Sequence, residues 1–309
     1  MKVLITGGAG FIGSHLCSKF VNTGNEVICI DHLGTGSLNN IEDLGKTGRF
    51  KFMQKDVTKD LDDIEKVDLI LHFASRASPS DYQTNSFDTL LANSIGTFNL
   101  LKKAQKDSAR FLFASTSEVY GKAEVIPTPE TYYGYVNSFG PRSCYDESKR
   151  FGEALCYEFI HKFNIDCRIV RIFNTYGPHM RYNDGRVMTN FIMQALDNEP
   201  ITIYGDGKQT RSFCFVDDLI EGIYTLATKK ELNGEVINIG NPEEVTILEL
   251  AKKIVKVTNS KSKIIFKDLP MDDPPQRVPD ITKAKKLLNW SPKIKLETGL
   301  AKMIEWMKE

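Results

Sequence analysis

The chain has no excess of charge of either sign. Its 40 lysines and arginines are matched by 40 aspartates and glutamates, for a formal net charge of +0. A protein held to nucleic acid or to an anionic membrane by its overall field needs a basic surplus. Any anion bound here is therefore small and held locally. Long apolar runs are also missing: no stretch approaches the roughly 20 residues a bilayer-spanning helix needs. The chain enters a strand at once, "KVLIT" at 2–6, with no long apolar stretch of the secretory-leader kind before it. A cytoplasmic location is expected. The six cysteines, Cys17, Cys29, Cys144, Cys156, Cys167 and Cys214, form no Cys-x-x-Cys and stand at no zinc-finger spacing to a histidine. They are expected to be reduced thiols, with no metal site. Repeats and low-complexity tracts are absent too.

What is present is a chain of 309 residues, 41% of them hydrophobic, enough for a sizeable core. In its first half short apolar runs alternate with helix-length segments. Strands are expected at 3–6, 26–30, 50–54, 68–74, 110–115 and 167–173, and helices at 11–23, 86–106 and 147–163. That alternation predicts an α/β fold with a parallel sheet covered on both faces. After about residue 174 Gly, Pro and Asn punctuate the chain, as in "NTYGP" (174–178), "YNDGR" (182–186), "YGDGKQTR" (204–211) and "GNPEE" (240–244). Helical patterns return at 187–197, 216–228, 246–257, 281–288 and 296–307, and "EVINIG" (235–240) reads as one more sheet strand. The expected division is 1–173 plus 213–240 for the sheet domain, and 174–212 plus 241–309 for a smaller substrate-binding domain whose loops carry specificity.

"VLITGGAGFIGSHL" (3–16) sets Gly7, Gly10 and Gly13 directly after a strand and at the start of a helix. Gly7 permits a tight turn, Gly10 lets the backbone approach a pyrophosphate, and Gly13 lets helix and strand pack closely, with the helix N-terminus facing the phosphate. Phe11 and Ile12 belong to the same loop. A lone glycine triplet is a weak signal, but here the second strand ends in Asp31, 18 residues past Gly13. An acid at that place takes ribose hydroxyls and repels a 2′-phosphate, so NAD is expected rather than NADP. At the third strand end, "KDV" (55–57), Asp56 and Val57 could reach the adenine, or Asp56 could simply cap the turn before Thr58; the residues leave both open.

These pieces, with "ASTSEVYG" (114–121), Tyr145 and Lys149 in "SCYDESKR" (143–150), "RIFNTYGP" (171–178) and "YGDGKQTRSF" (204–213), resemble the extended short-chain dehydrogenase/reductase family over essentially the whole chain. The resemblance implies a Rossmann-type doubly wound parallel sheet with a smaller C-terminal domain. Within the family the likeness is to the UDP-glucuronate decarboxylase branch, carried by "GPRSCYDESKR" (140–150), "DGRVMTNFIMQAL" (184–196) and "PQRVPDI" (275–281). Tyr145 and Lys149 at i, i+4 share a helix face. A free phenol is a poor base at neutral pH, and a nearby ammonium is expected to pull its pKa down. By resemblance Thr116 hydrogen-bonds the reacting C4 oxygen of a UDP-sugar. Ser117-Glu118 differ from the Asp-Glu of the 4,6-dehydratases, and the 4-epimerases lack the Glu. Arg277 matches an arginine near the substrate carboxylate.

The activity so implied is NAD-dependent decarboxylation of UDP-glucuronate to UDP-xylose through a 4-keto intermediate, with the cofactor regenerated in place. For the UDP-sugar the resemblance assigns Ser78, Tyr82, Asn174, Arg186, Asn190, Gln194, Tyr204 and Arg211. Arg76 stands where the family pattern leads one to expect Pro, and Ser138-Phe139 where it leads one to expect Pro-Ile. Alternatives in the same family are a UDP-sugar 4-epimerase, a 4,6-dehydratase, or a decarboxylase that releases the 4-keto pentose. A different class altogether is an idle NAD-binding regulator on the same fold. Apolar positions on the helices at 86–106 and 147–163 are expected to pair across a two-fold axis in a homodimer.

Overall fold

The computed structural model describes residues 1–268 and 276–308; Pro275, which opens the "PQRVPDI" motif, lies outside them. The first strand β1 (Lys2–Thr6) is buried from Val3 onward, leads into α1 (Phe11–Asn22), and is followed by β2 (Glu26–Asp31), β3 (Phe50–Gln54) and β4 (Leu69–His72). Helices α2 (Pro79–Thr84), α3 (Ser86–Leu91) and α4 (Thr97–Asp107) precede β5 (Arg110–Thr116). The long helix α5 (Ser143–Phe163) and β6 (Cys167–Ile172) complete the first half. Short Val/Ile/Leu-rich strands covered on both faces pair in parallel. With Val236–Ile239 they make a seven-stranded sheet, in the order Val236–Ile239, β6, β5, β4, β1, β2, β3. Every pairing in it is parallel.

The strand order reverses between β1 and β4, where Thr6 lies level with His72. At such a switch point the loops leave in opposite directions and open a crevice at the carboxyl ends of the strands. One face of the sheet is packed by α4 and α5 through Leu100, Leu101, Cys156 and Phe159. The other is packed by α1 and a helix at Val216–Thr228 through Leu16, Phe20, Ile223 and Leu226, and this core runs on without a break into the later part of the chain, through Phe191, Ile254 and Met303.

That later part holds β7 (Thr175–Tyr176), α6 (Val187–Leu196), β8 (Ile201–Tyr204), β9 (Thr210–Ser212), β10 (Cys214–Phe215) and α7 (Val216–Thr228). β11 (Val236–Ile239), β12 (Glu244–Thr246), α8 (Ile247–Thr258), β13 (Ile264–Lys267), α9 (Thr282–Leu288) and α10 (Leu296–Lys308) follow. β7 with β10, β8 with β13 and β9 with β12 form two-stranded ribbons. These ribbons escape a reading by hydrophobic period, because two to four residues carry no period. Two expected helices also differ. The one expected at 86–106 is interrupted by a wide turn at Ala92–Gly96, where a Cβ on Gly96 would meet Val57 at 2.6 Å. The one expected from 147 begins at Ser143, so Tyr145 lies in its first turn. All six cysteines are free, and all six are buried.

Candidate active site

A cavity of about 500 Å³ opens at the carboxyl ends of β1, β2, β4 and β5. At one end lies the glycine loop. Gly7 has φ +69°, and a Cβ there would sit 2.7 Å from the Phe73 carbonyl carbon. A Cβ on Gly13 would come within 2.0 Å of the Gly7 carbonyl oxygen, so α1 seats directly on the turn only because position 13 is bare. Gly10 caps α1 with no side-chain hydrogen bond and, with Phe11, Ile12 and Gly13, faces the cavity. Asp31 closes this end. One carboxylate oxygen accepts the Ala9 N–H at 3.1 Å and the other the Leu33 N–H at 2.8 Å. Asp56 and Val57 line the same wall; the Asp56 carboxylate accepts both the N–H and the hydroxyl of Thr58. A bare turn, an uncapped helix start and a carboxylate at the second strand end fit the pyrophosphate and ribose of a dinucleotide. His179 joins this wall from the chain's later part, with Nδ1 2.9 Å from the Ser14 hydroxyl; no pattern in the sequence singled it out.

At the other end, α5 lies against β5 because Gly152 leaves room for the Phe113 ring: a Cβ there would be 2.3 Å from it. That contact brings Tyr145 and Lys149 beside Thr116. Thr116 and Tyr145 face the same cavity, and the Thr116 hydroxyl accepts the Glu118 N–H at 3.2 Å. Tyr145 stacks on Tyr82, with ring centroids 5.0 Å apart and nearly parallel.

The expected effect of Lys149 on Tyr145 is not seen. Lys149 donates to the Ala114 carbonyl at 2.8 Å, and its Nζ lies 5.8 Å from the Tyr145 ring. Burial brings its own pKa down to about 7, against the pull of Glu153. Burial likewise pushes the Tyr145 phenol up to about 12; the Thr116 hydroxyl opposes this, Glu118 and Asp146 add to it, and Arg186 is the cation that resists. In a dry site the cost of making either charge outweighs a neighbour several ångströms away.

Next to Tyr145, Glu118 is held from two sides. Arg277 Nη1 meets one carboxylate oxygen at 2.5 Å, and Arg142 Nη2 bonds the other. Arg277 also reaches the Ser117 hydroxyl at 3.5 Å. Behind Arg142 stands Asp146, 3.7 Å from its Nε. The other Asp146 oxygen is buried with no hydrogen-bond partner, and burial, then Glu118, raise its carboxyl to about 7. Arg142 and Asp146 were not read from the sequence as site residues. A helix started at 147 leaves both in a loop; started at 143 it puts them one turn apart on the helix that carries Tyr145.

Of the residues assigned to the UDP-sugar, Ser78, Tyr82, Asn174, Arg186, Arg211 and Arg277 line the cavity. Ser78 donates to the Asp184 carbonyl, and Arg186 pairs with the Asp184 carboxylate. Asn190, Gln194 and Tyr204 are not on the cavity wall. The Asn190 amide donates to the Gly185 carbonyl. The Gln194 carbonyl accepts the Thr202 N–H at 3.1 Å, tying α6 to β8. Tyr204 is half exposed at the end of β8. Arg76 lines the cavity, reaching Asp88 at 3.3 Å and the Gly34 carbonyl at 3.4 Å, while Phe139 is fully in solvent.

Residues 3–240 match the model of the NAD dependent epimerase/dehydratase family. The chain is 47% identical over 308 residues to UDP-glucuronic acid decarboxylase 1 of Danio rerio, covering 99% of this chain and 72% of that protein. It is 48% identical over 306 residues to UDP-glucuronic acid decarboxylase 5 of Arabidopsis thaliana, covering 99% and 89%. Among solved structures, UDP-glucuronic acid 4-epimerase from Bacillus cereus in complex with UDP-glucuronic acid and NAD superposes with a TM-score of 0.89, at 34% identity and covering 100% of this chain and 99% of that one.

Proposed function

As the chain belongs to the NAD dependent epimerase/dehydratase family, we propose that it is a UDP-glucuronate decarboxylase that uses NAD and yields UDP-xylose. The observation that carries this reading is Glu118 clamped by Arg277 and Arg142 beside Thr116 and Tyr145, in a chain 46–48% identical to curated UDP-glucuronic acid decarboxylases.

NAD, when bound, supplies a hydride acceptor and then a hydride donor at C4 of the sugar. Gly7, Gly10, Phe11, Ile12, Gly13, Asp31, Asp56 and Val57 hold it at one end, and Tyr145 and Lys149 at the other. Tyr145 acts as its phenolate, the form the positive nicotinamide ring of bound NAD would favour against the burial cost, and takes the C4 hydroxyl proton, while Thr116 holds the same oxygen. The C6 carboxylate is then β to a C4 ketone. Its C5–C6 bond breaks, CO₂ leaves, and the electron pair passes to the C4 oxygen as an enolate, where the Thr116 and Tyr145 hydroxyls stabilise the charge. Arg277 and Glu118 orient the carboxyl-bearing carbon, and C5 takes up one proton. Tyr145 returns its proton to the C4 oxygen as the ketone is reduced. Over the cycle one proton is consumed and one CO₂ released.

Asn174, Arg186 and Arg211, with Ser78 and Tyr82, are read as the UDP-sugar contacts, arginine being suited to a diphosphate by its planar fork. Asn190, Gln194 and Tyr204 are retained as more distant contributors. Residues 1–173 with 213–240 form the cofactor part, and 174–212 with 241–309 the sugar-nucleotide part. A cytoplasmic homodimer is the expected form. In support of the homodimer, Phe87, Leu91, Ile95 and Phe98 are exposed along α3, the wide turn at Ala92–Gly96 and α4, and Phe151 and Tyr157 along the adjacent α5.

A proton NMR time course with UDP-glucuronate and catalytic NAD tests the reading. UDP-xylose without lasting NADH absorbance is the expected result. UDP-galacturonate would mean an epimerase, a 4-keto pentose with stoichiometric NADH would remove the return step, and no turnover of any UDP-sugar would overturn the assignment.

A further inference from the structure

Glu118 occupies the guanidinium that the proposed substrate would need. Arg277 is almost wholly buried, and its Nη1 is bonded to Glu118 at 2.5 Å. A sugar carboxylate arriving at Arg277 meets a second carboxylate already on it, and two like charges cannot share one cation without a penalty. The other Glu118 oxygen is held by Arg142 at the start of α5, a separate element from the one carrying Arg277. Arg142 faces the same cavity. Asp146 stands 3.7 Å from its Nε, on the same edge as the Nη2 that bonds Glu118.

We propose that Arg142 is a positioning residue: it retains Glu118 when the substrate carboxylate takes Arg277, so that one carboxylate can be exchanged for another on that cation without leaving either uncompensated. This rests on the UDP-glucuronate reading and adds to it a residue for recognising the sugar's C6 carboxylate. The charges fit. Glu118 and Asp146 face Arg142 and Arg277 before binding. The incoming carboxylate then pairs with Arg277 and Glu118 with Arg142, leaving Asp146 as a carboxyl beside Arg142 that can stay neutral.

The test is binding to protein loaded with NADH, so that the first oxidation cannot occur. Dissociation constants are measured calorimetrically for UDP-glucuronate and for UDP-glucose, which differs only in carrying a C6 hydroxymethyl group. Arg142→Met is expected to weaken UDP-glucuronate at least tenfold and UDP-glucose less than threefold. Arg142→Lys, which keeps the charge, should hold the ratio of the two within threefold of wild type. In an Glu118→Gln background no carboxylate competes for Arg277, so adding Arg142→Met should cost UDP-glucuronate less than threefold. Equal weakening of both nucleotides by Arg142→Met, or the same penalty in the Glu118→Gln background, overturns the proposal. Wild-type protein that binds UDP-glucose but not UDP-glucuronate would instead overturn the functional reading beneath it.

Discussion

Asp146 and Lys149 are one helical turn apart on α5, and burial moves both to the same pH from opposite sides: the carboxyl up to about 7, the amine down to about 7. Charging either group costs solvation that no partner fully restores. The consequence for stability has a definite sign. A carboxyl whose folded pKa exceeds its unfolded value binds its proton more tightly when folded, so the stability it lends at low pH is lost as pH rises from about 4 to about 7. Asp146→Asn removes that loss, keeping the shape without the charge. The melting-temperature difference between variant and wild type should therefore grow in the variant's favour between pH 4 and pH 8, by roughly 4 °C, or about 2 kcal/mol. Scanning calorimetry at a series of pH values would show it, and a difference independent of pH would refute it. Lys149 acts in the next window: its folded pKa is depressed, so its penalty is relieved as pH rises from about 7 through its unfolded value of 10.5.

At the level of elements, two close approaches build the site. α1 rests on the Gly7 turn through Gly13, and α5 on β5 through Gly152. Backbone cannot give way as a side-chain tip can. Gly13→Ala, whose Cβ would lie 2.0 Å from the Gly7 oxygen, should cost about 3 kcal/mol of stability, at the upper end for overpacking. It should also weaken NAD at least tenfold, because the loop and the helix start move together. Gly24→Ala is the control. Gly24 has φ +84° and nothing within 4 Å, so its cost is backbone strain of ~1 kcal/mol with NAD affinity unchanged. Melting curves and a fluorescence titration of NAD on the two variants separate the effects; equal NAD affinities would count against this account of the loop.

For the whole molecule, the outward apolar face of α3 to α5 is the feature that bears on the proposed homodimer. Phe87 is 77% exposed, and Leu91, Ile95 and Phe98 continue its row at helical spacing. Exposed apolar residues of this kind suit a two-fold interface in which each row meets its copy. Ile95→Glu should convert a dimer to a monomer in light scattering while leaving the fold intact, since the side chain faces solvent in the single chain. A wild-type monomer, or an unaltered dimer in the variant, would remove the face from consideration. At this scale too, the cavity draws on both halves of the chain: Tyr145 and Glu118 come from the first, Arg186, Arg211 and Arg277 from the second.

By itself the sequence determined the alternating α/β order and the glycine loop with Asp31, because each depends on spacing within a few residues or on a period that repeats; Tyr145 and Lys149 were singled out by their i, i+4 spacing, and Thr116 and Glu118 by family resemblance alone. What only the tertiary structure decided depends on distance across the chain. The helix carrying Tyr145 starts at Ser143 and docks on Phe113 through Gly152, a contact no local pattern encodes, and that start places Arg142 and Asp146 one turn apart beside Tyr145. Gln194, assigned to the UDP-sugar by resemblance, instead accepts the Thr202 N–H of β8, a four-residue strand too short to show a hydrophobic period. Spacing led to the expectation that the Lys149 ammonium lowers the Tyr145 phenol, whereas burial pushes that phenol up and the Lys149 amine down. The i, i+4 interval fixes which residues are neighbours, whereas the water excluded around them, which sets the cost of their charges, is a property of the packed fold.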